Sequence, residues 1–321
     1  MARVTVVGAG VVGLSCAVRL LEGGHRVDVL ARELPLETTS HVAAAIWYPY
    51  LAEPRERVLG WGGRTFEVLA DLAATTPEAG VRLLPGTEVL TGASPDPWWA
   101  GVVTGFGREP LLPAGYADGW GFTTPVADMP VYLTWLRRRV ADLGGTVTRL
   151  TLSELPVGSD VVVNCSGLGA RHLAADGSVV PVRGQVVVVE QFGLSRWWLD
   201  EGGPTYVIPR EHEIIVGGTE QRGAWEPQPD PATADAIMAR ALRLVPELGG
   251  ARVIGHRVGL RPARPSVRLE RESRSSRDVV HCYGHGGSGL TLSQGCAGEV
   301  AELVAELMTG SRTRLTTGSA G

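Results

Sequence analysis

The chain has 321 residues, 44% of them hydrophobic and 20% charged, the balance of an ordinary globular protein of about two domains. Its formal net charge of −4, with no basic tract, argues against nucleic acid or an anionic membrane as partner. All 30 of its Lys+Arg positions are arginine, which excludes a lysine Schiff base with pyridoxal phosphate and the lysine of a P-loop.

In chain order, Arg3 to Val7 reads as a buried strand, Gly8-Ala9-Gly10-Val11-Val12-Gly13 as a turn, and Leu14 to Leu21 as a helix ended by Gly23-Gly24. Arg26 to Ala31 is a second strand, so the N-terminus is a βαβ unit with a parallel sheet. From about Pro49 to Gly121 the chain is rich in Pro, Gly and Trp, with one helical stretch around Thr65 to Ala74. Asp128 is placed to cap a helix, Met129 to Leu143, with Val131, Trp135, Leu136, Val140 and Leu143 on one face. Strands follow at Thr146 to Leu150 and Asp160 to Cys165. Short β-runs at Gln185 to Glu190, Thr205 to Ile208 and Glu213 to Val216 suggest an antiparallel sheet, followed by a helix from about Pro231 to Val245. The last segment is a strand (Asp278 to Tyr283), a glycine loop (Gly284 to Gly289) and a helix (Thr291 to Met308). Thr309 to Gly321 reads as a polar tail without a peroxisomal ending.

Cys16, Cys165, Cys282 and Cys296 are scattered, with no C-x-x-C pair and no metal-ligand spacing, so no metal is expected. Cys16 and Cys165 lie among apolar neighbours and read as buried small hydrophobes. The first strand begins almost at Met1, so no signal peptide is expected, and no apolar run approaches the ~20 residues of a membrane span. A reducing cytoplasm is the expected compartment.

The chemistry starts at the first glycine turn. Glycines there let the backbone turn tightly and approach a pyrophosphate, whose charge rests on the helix N-terminus. Glu33, beside Arg32, stands at the end of the second strand, where an acid would hold a ribose hydroxyl. A second glycine loop, His285-Gly286-Gly287-Ser288-Gly289-Leu290-Thr291, suits a flavin ring held by backbone groups and favours FAD over NAD.

At this point the sequence resembles the D-amino-acid oxidase family. The resemblance is carried by Val42-Ala43-Ala44-Ala45-Ile46-Trp47-Tyr48-Pro49-Tyr50, Asp96-Pro97-Trp98-Trp99 and Gly217-Gly218-Thr219. Gly259-Leu260-Arg261-Pro262-Ala263-Arg264-Pro265, Val267-Arg268-Leu269-Glu270 and Tyr283-Gly284-His285-Gly286-Gly287 complete it, in family order over nearly the whole chain. It implies an α/β fold: a discontinuous glutathione-reductase-type, Rossmann-like FAD-binding domain (1–50, 125–183, 252–321) and an α+β substrate domain (51–124, 184–251) with a mixed, largely antiparallel sheet.

Carried over by position, the resemblance implies that Arg261 pairs with the substrate carboxylate, Tyr206 meets the same carboxylate, and the Gly287 carbonyl accepts from the substrate amine. A guanidinium suits that task because it binds a carboxylate through two parallel hydrogen bonds. Non-covalent FAD would be held by Gly8, Gly10, Val11, Val12, Gly13, Ser15, Arg32, Glu33, Thr39, Ser40, Ala44, Ala45, Ile46, Leu150, Ser166, Arg261, Gly286, Gly287, Gly289, Leu290 and Thr291. The implied reaction is hydride transfer from Cα of a D-amino acid to the flavin, with oxygen as acceptor, giving a 2-oxo acid, ammonia and peroxide. A homodimer is a possible assembly. The bland readings stand beside these: a surface role for Arg261, a core role for Tyr206, a structural hydrogen-bonding His285, and packing for Trp98-Trp99.

Two departures from the mammalian pattern bear on specificity. Tyr48 stands where those enzymes carry a glutamine at the pocket, and Leu199-Asp200-Glu201-Gly202-Gly203-Pro204 is short and lacks their second tyrosine, so a flexible lid is not expected. That segment also lacks the arginine of D-aspartate oxidases; Asp200 and Glu201, if they face the pocket, would repel an acidic side chain. Neutral or basic D-amino acids are therefore expected over D-aspartate. The alternatives are a glycine or sarcosine oxidase of the same fold, and an NAD-dependent dehydrogenase. A serine hydrolase fails because no Ser sits in a G-x-S-x-G elbow.

Overall fold

A computed structural model of the protein describes residues 1–274 and 277–317. The chain opens with β1 (Arg3–Val7), α1 (Val11–Glu22) and β2 (Arg26–Ala31), then the short α2 (Thr39–Val42) and the long α3 (Arg55–Thr75). Next come β3 (Val81–Leu90), β4 (Thr104–Arg108), β5 (Asp118–Ala127), α4 (Met129–Asp142), β6 (Thr146–Arg149), β7 (Val161–Asn164) and α5 (Ala170–Leu173). The second half runs through β8 (Val180–Glu190), β9 (Trp197–Asp200), β10 (Thr205–Pro209), β11 (Glu213–Gly217), β12 (Gln221–Arg222) and α6 (Pro231–Leu244). It closes with β13 (Val253–Arg274), β14 (Arg277–His285) and α7 (Gly289–Thr317).

The strands form one 14-stranded sheet in the order β4-β5-β3-β9-β10-β11-β8-β13-β14-β7-β1-β2-β6, with β12 beside β8. From β14 through β7, β1 and β2 to β6 every pairing is parallel, and the central β1 and β7 are apolar runs buried on both faces, as such a sheet requires. Helices α1, α4 and α7 cover this part and share its main core with Val4, Val6, Leu14, Leu20, Leu136, Val163 and Val304. The β8 to β11 portion is antiparallel. One face of the β3–β11 region carries an aromatic core of Trp47, Phe66, Trp99, Trp120, Phe122 and Trp197, and α6 covers a second apolar cluster with Ile237 and Leu244. No helix among the described residues is long and apolar enough to cross a membrane.

Several elements differ from expectation. α3 starts at Arg55, well before Thr65, despite three glycines in its first turns. Helix propensity is overridden by packing: Trp47 donates its indole N–H to the Gly62 carbonyl at 2.9 Å, and a Cβ at Gly295 of α7 would lie 2.2 Å from the Trp61 carbonyl oxygen. In α4 the buried face is Met129, Tyr132, Leu133, Leu136 and Val140, while Val131 is exposed; Asp128 makes no side-chain cap but faces Arg210 at 3.9 Å. β8 begins at Val180, five residues early, because its polar Arg183 and Gln185 are buried and fully engaged, Arg183 by the carbonyls of Glu226 and Gln228. β14 runs on through Gly284 to His285. Thr309 to Thr317, expected as a tail, continue α7, since extending an established helix costs little; the rest of that expected tail, 318–321, lies outside the described residues.

Candidate active site

The turn between β1 and α1 is built by close backbone approach. Gly8 has φ +112°, and a Cβ there would lie 2.4 Å from the Cys165 carbonyl oxygen. A Cβ at Gly13 would lie 2.0 Å from the Gly8 carbonyl oxygen, so the first turn of α1 seats directly on the strand end. Gly10 is the N-cap and supplies no side-chain cap. The Val11 amide donates to Ser40 Oγ at 3.0 Å, while Val12 and Gly13, being in the first turn, have no helix carbonyl to donate to. Their N–H groups and the helix dipole leave an anion cradle at the sheet's C-terminal edge.

Around this cradle stand the other expected cofactor residues. Arg32 and Glu33 follow β2 and pair with one another at 2.7 Å. Thr39 donates to the Leu260 carbonyl at 3.1 Å, tying α2 to β13. Ala45 is held at φ +61° by backbone bonds to β5, its carbonyl accepting from Ala127 and the Trp47 amide, two residues on, donating to Pro125. Ala44 is buried and Ile46 bridges to Val126. Ser166 follows β7, with its hydroxyl donating to Asn164 at 2.7 Å. Ser15 is turned away from the cradle: it is fully buried and accepts from Gln294 of α7 at 3.1 Å. Leu150 follows β6 and is exposed.

The second glycine loop is zipped to the 44–50 segment. The Tyr48 amide donates to Thr291 Oγ1 at 3.1 Å, and the Thr291 hydroxyl donates back to the Tyr48 carbonyl at 2.9 Å. Ser288 Oγ accepts from the Tyr50 amide at 2.6 Å. A Cβ at Gly287 would lie 2.3 Å from the Tyr50 ring and one at Gly286 2.5 Å from the Leu51 carbonyl oxygen, so only glycine lets the two segments close. Gly289 and Leu290 open α7 beside Val11.

Across from this loop lies Arg261 on β13. Its guanidinium donates to the Thr219 carbonyl at 2.9 Å, lies 6.0 Å from the Tyr50 ring centroid, and rests on Gly184, where a Cβ would be 2.4 Å from Nη2. The Tyr206 ring lies on Gly217 and Gly218, with a Cβ at Gly217 only 2.0 Å from its Cζ. Tyr50 donates to Glu220 at 2.5 Å, and burial and that bond push its phenol well up. Thus Arg261, Tyr206, Tyr50 and Gly287 converge on one site.

Tyr48 donates to Glu88 at 2.8 Å. Glu88 is buried, and its other oxygen, Oε2, has no hydrogen-bond partner. Burial first, with Glu201 and Asp200 adding repulsion, raises its carboxyl to about 7 against the lowering effect of the Tyr48 bond. Asp200 itself accepts from Tyr116 at 2.6 Å and from the Gly202 amide, and Glu201 is exposed. Tyr50 and Glu88 were not singled out from the sequence. Tyr50 sits in a quoted motif without any spacing that marks it; Glu88 is a charge inside an otherwise buried run, Gly86 to Leu90, which is a usable signal.

His285 is buried and neutral, its imidazole lowered to about 4 by burial, which fits a structural role. Trp99 packs at the centre of the aromatic core, whereas Trp98 is partly exposed beneath Arg55. The four cysteines, scattered in sequence, gather behind the cradle. The sulfurs of Cys16, Cys165 and Cys282 lie within 4.8 Å of one another, as do the ligand atoms of Cys282, His285 and Cys296. All four are free thiols.

A glycine cradle at a parallel sheet edge, facing an arginine set to grip a carboxylate, defines a dinucleotide-dependent oxidoreductase. Comparison with known proteins resolves which dinucleotide. The chain belongs to the FAD dependent oxidoreductase family (DAO), whose model matches residues 3–303, and its cofactor is FAD. It is 53% identical to the D-amino-acid oxidase of Rubrobacter xylanophilus over 94% of this chain and 96% of that protein. It is 40% identical to the D-aspartate oxidase of Homo sapiens, over 97% of each chain. Among solved structures, glycine oxidase from Bacillus cereus superposes with a TM-score of 0.78 at 18% identity, covering 95% of each chain, which is a likeness of fold.

Proposed function

We propose that the protein is an oxidase of D-amino acids, converting them to imino acids that hydrolyse to 2-oxo acids and ammonia. The carrying observation is the guanidinium of Arg261, held by the Thr219 carbonyl and by Tyr50, with Tyr206 beside it. That fork grips an α-carboxylate, and the Tyr206 hydroxyl donates to the same group. The Gly287 carbonyl accepts from the amine, so two anchors leave one face of Cα turned towards the flavin. The β1–α1 cradle and the 286–291 loop would hold non-covalent FAD, which would supply the hydride acceptor for Cα and the route of the electrons to oxygen. No side chain then has to remove the Cα proton, and the residues act by positioning and by excluding water. The N-terminus of α7 at Gly289 to Thr291 would favour negative charge on a cofactor held there.

In this reading segments 1–50, 125–183 and 252–321 hold the cofactor and 51–124 and 184–251 hold the substrate. Neutral or basic side chains are preferred over acidic ones, since Glu88 stands on the face of Tyr206 and Glu201 adds negative charge to it; Asp200 turns to the opposite face, where it accepts from Tyr116. The test is a peroxide assay on the purified yellow protein with D- and L-alanine, valine, arginine and aspartate, with glycine and sarcosine alongside. Peroxide from D-forms alone supports the assignment. Peroxide from glycine or sarcosine alone, or from L-forms, overturns it, and a rate on D-aspartate above that on D-valine and D-arginine overturns the side-chain preference.

A further inference from the structure

Glu88 and Tyr206 occupy one row of the sheet. Both are cross-strand partners of Leu199, Glu88 from β3 and Tyr206 from β10, so the three side chains emerge on the same face. With β9 between them, the Glu88 and Tyr206 backbones are about 10 Å apart. That spacing matches the length of an extended side chain on a substrate held by its carboxylate at Tyr206 and Arg261, which would pass over Leu199 towards Glu88. Tyr48 lies against the cluster on this same face, packed on Trp99 at 5.3 Å and hydrogen-bonded through its hydroxyl to Glu88.

The chemistry of this pair is one-sided. The Tyr48 proton is committed to Glu88, so the phenolic oxygen offers only lone pairs to whatever approaches it. Glu88 carries an unpartnered oxygen in a buried setting, where an uncompensated carboxylate is costly. Asp200 and Glu201 add negative charge nearby, and no positive group is among the main influences on Glu88. A donor-rich, positively charged side chain satisfies all of these at once; an acidic one satisfies none, and an aliphatic one leaves the free oxygen as it was.

We infer that the Tyr48–Glu88 pair is a receptor for the cationic end of the substrate side chain, so that the enzyme selects D-amino acids with a terminal guanidinium or ammonium, as in arginine or lysine. This rests on the proposed function, which supplies the carboxylate anchor.

Binding of unreactive carboxylates to the holoenzyme, followed by calorimetry, separates the two. 5-Guanidinopentanoate has the arginine skeleton without the α-amine, and 7-methyloctanoate is its neutral isostere. The native protein is expected to bind the guanidino acid at least ~10-fold more tightly, about 1.4 kcal/mol. Glu88→Gln is expected to erase that ratio, with Glu88→Asp restoring part of it. Tyr48→Phe, which removes the acceptor together with the hydrogen bond it gives Glu88 but leaves the carboxylate charge in place, reduces the ratio as well and serves if Glu88→Gln does not fold. A native ratio near one, or a ratio unmoved by both Glu88→Gln and Tyr48→Phe, overturns the receptor while leaving the oxidase assignment intact. Failure of both acids to bind removes the carboxylate anchor and overturns both.

Discussion

Gly184→Ala tests the carboxylate anchor without touching it. Gly184 lies in β8 opposite Gly259, and its backbone is outside the left-handed region, so alanine is tolerated by the strand itself. The added Cβ, however, would lie 2.4, 2.5 and 2.6 Å from Nη2, Cζ and Nη1 of Arg261, where ordinary contact begins near 3.4 Å. The guanidinium has to retreat by about 1 Å, a displacement large enough at a reacting centre to cost on the order of 100-fold. Because the atoms that move are the far end of a flexible side chain, little stability is lost, and Tm is expected to stay within ~3 °C. The expected loss in kcat/KM for D-alanine is therefore ~30- to 100-fold, or about 2 to 3 kcal/mol, in a protein that remains yellow. Steady-state peroxide assays with a thermal melt and a flavin spectrum on the same sample make the measurement. A folded, yellow Gly184→Ala protein with kcat/KM within threefold of native would show that Arg261 is not the anchor.

Two further outcomes are expected. Gly13→Ala sets a Cβ against immobile backbone at Gly8, and overpacking of about 1–3 kcal/mol should weaken FAD binding by roughly 10- to 100-fold; titration of the apoprotein by flavin fluorescence reads it, and native affinity would refute the cradle. His285, with its folded value lowered by burial from 6.5 to about 4, makes the unfolded chain take up the proton first as pH falls. Its contribution to stability is complete above pH 6.5 and is lost on acidification towards pH 4, by about 3 kcal/mol. Melts of native protein and His285→Gln between pH 8 and 4 should converge at the acid end; parallel curves would refute a buried neutral imidazole.

What was legible in the sequence was whatever is written locally. The β1–α1–β2 unit shows itself because a buried strand, a glycine turn and a helical run obey different spacings. The short antiparallel strands are marked by alternation and by turns. β13 was invisible: Pro262 and Pro265 look like breakers, yet Pro262 stays in register opposite Pro181, a register shift between Ala263 and Arg268 absorbs Pro265, and the strand pairs β8 on one side and β14 on the other. α3 was half missed because its glycines lower helix propensity, while what holds it, Trp47 against Gly62 and Gly295 of α7 against Trp61, lies far away in sequence. The site shows the same division. Arg261, Tyr206 and Gly287 were found through motifs, whereas Tyr50 and Glu88 matter through partners far away in sequence, Glu220 and Tyr48. The thiol cluster is a stricter case, since no spacing rule relates residues 16, 165, 282 and 296.

The same β13 has a mechanical consequence. Its first half is hydrogen-bonded into the antiparallel portion of the sheet and its second half to the strand that leads into the 286–291 loop. Arg261 sits near the middle of its 22 residues. A single unbroken strand thus acts as a measuring rod, setting the span from carboxylate grip to cofactor seat by covalent geometry instead of by a hinge. An enzyme gauged in this way cannot adjust its reach to each ligand, so discrimination among side chains falls to the walls of the pocket, and traffic in and out falls to the loops at its rim.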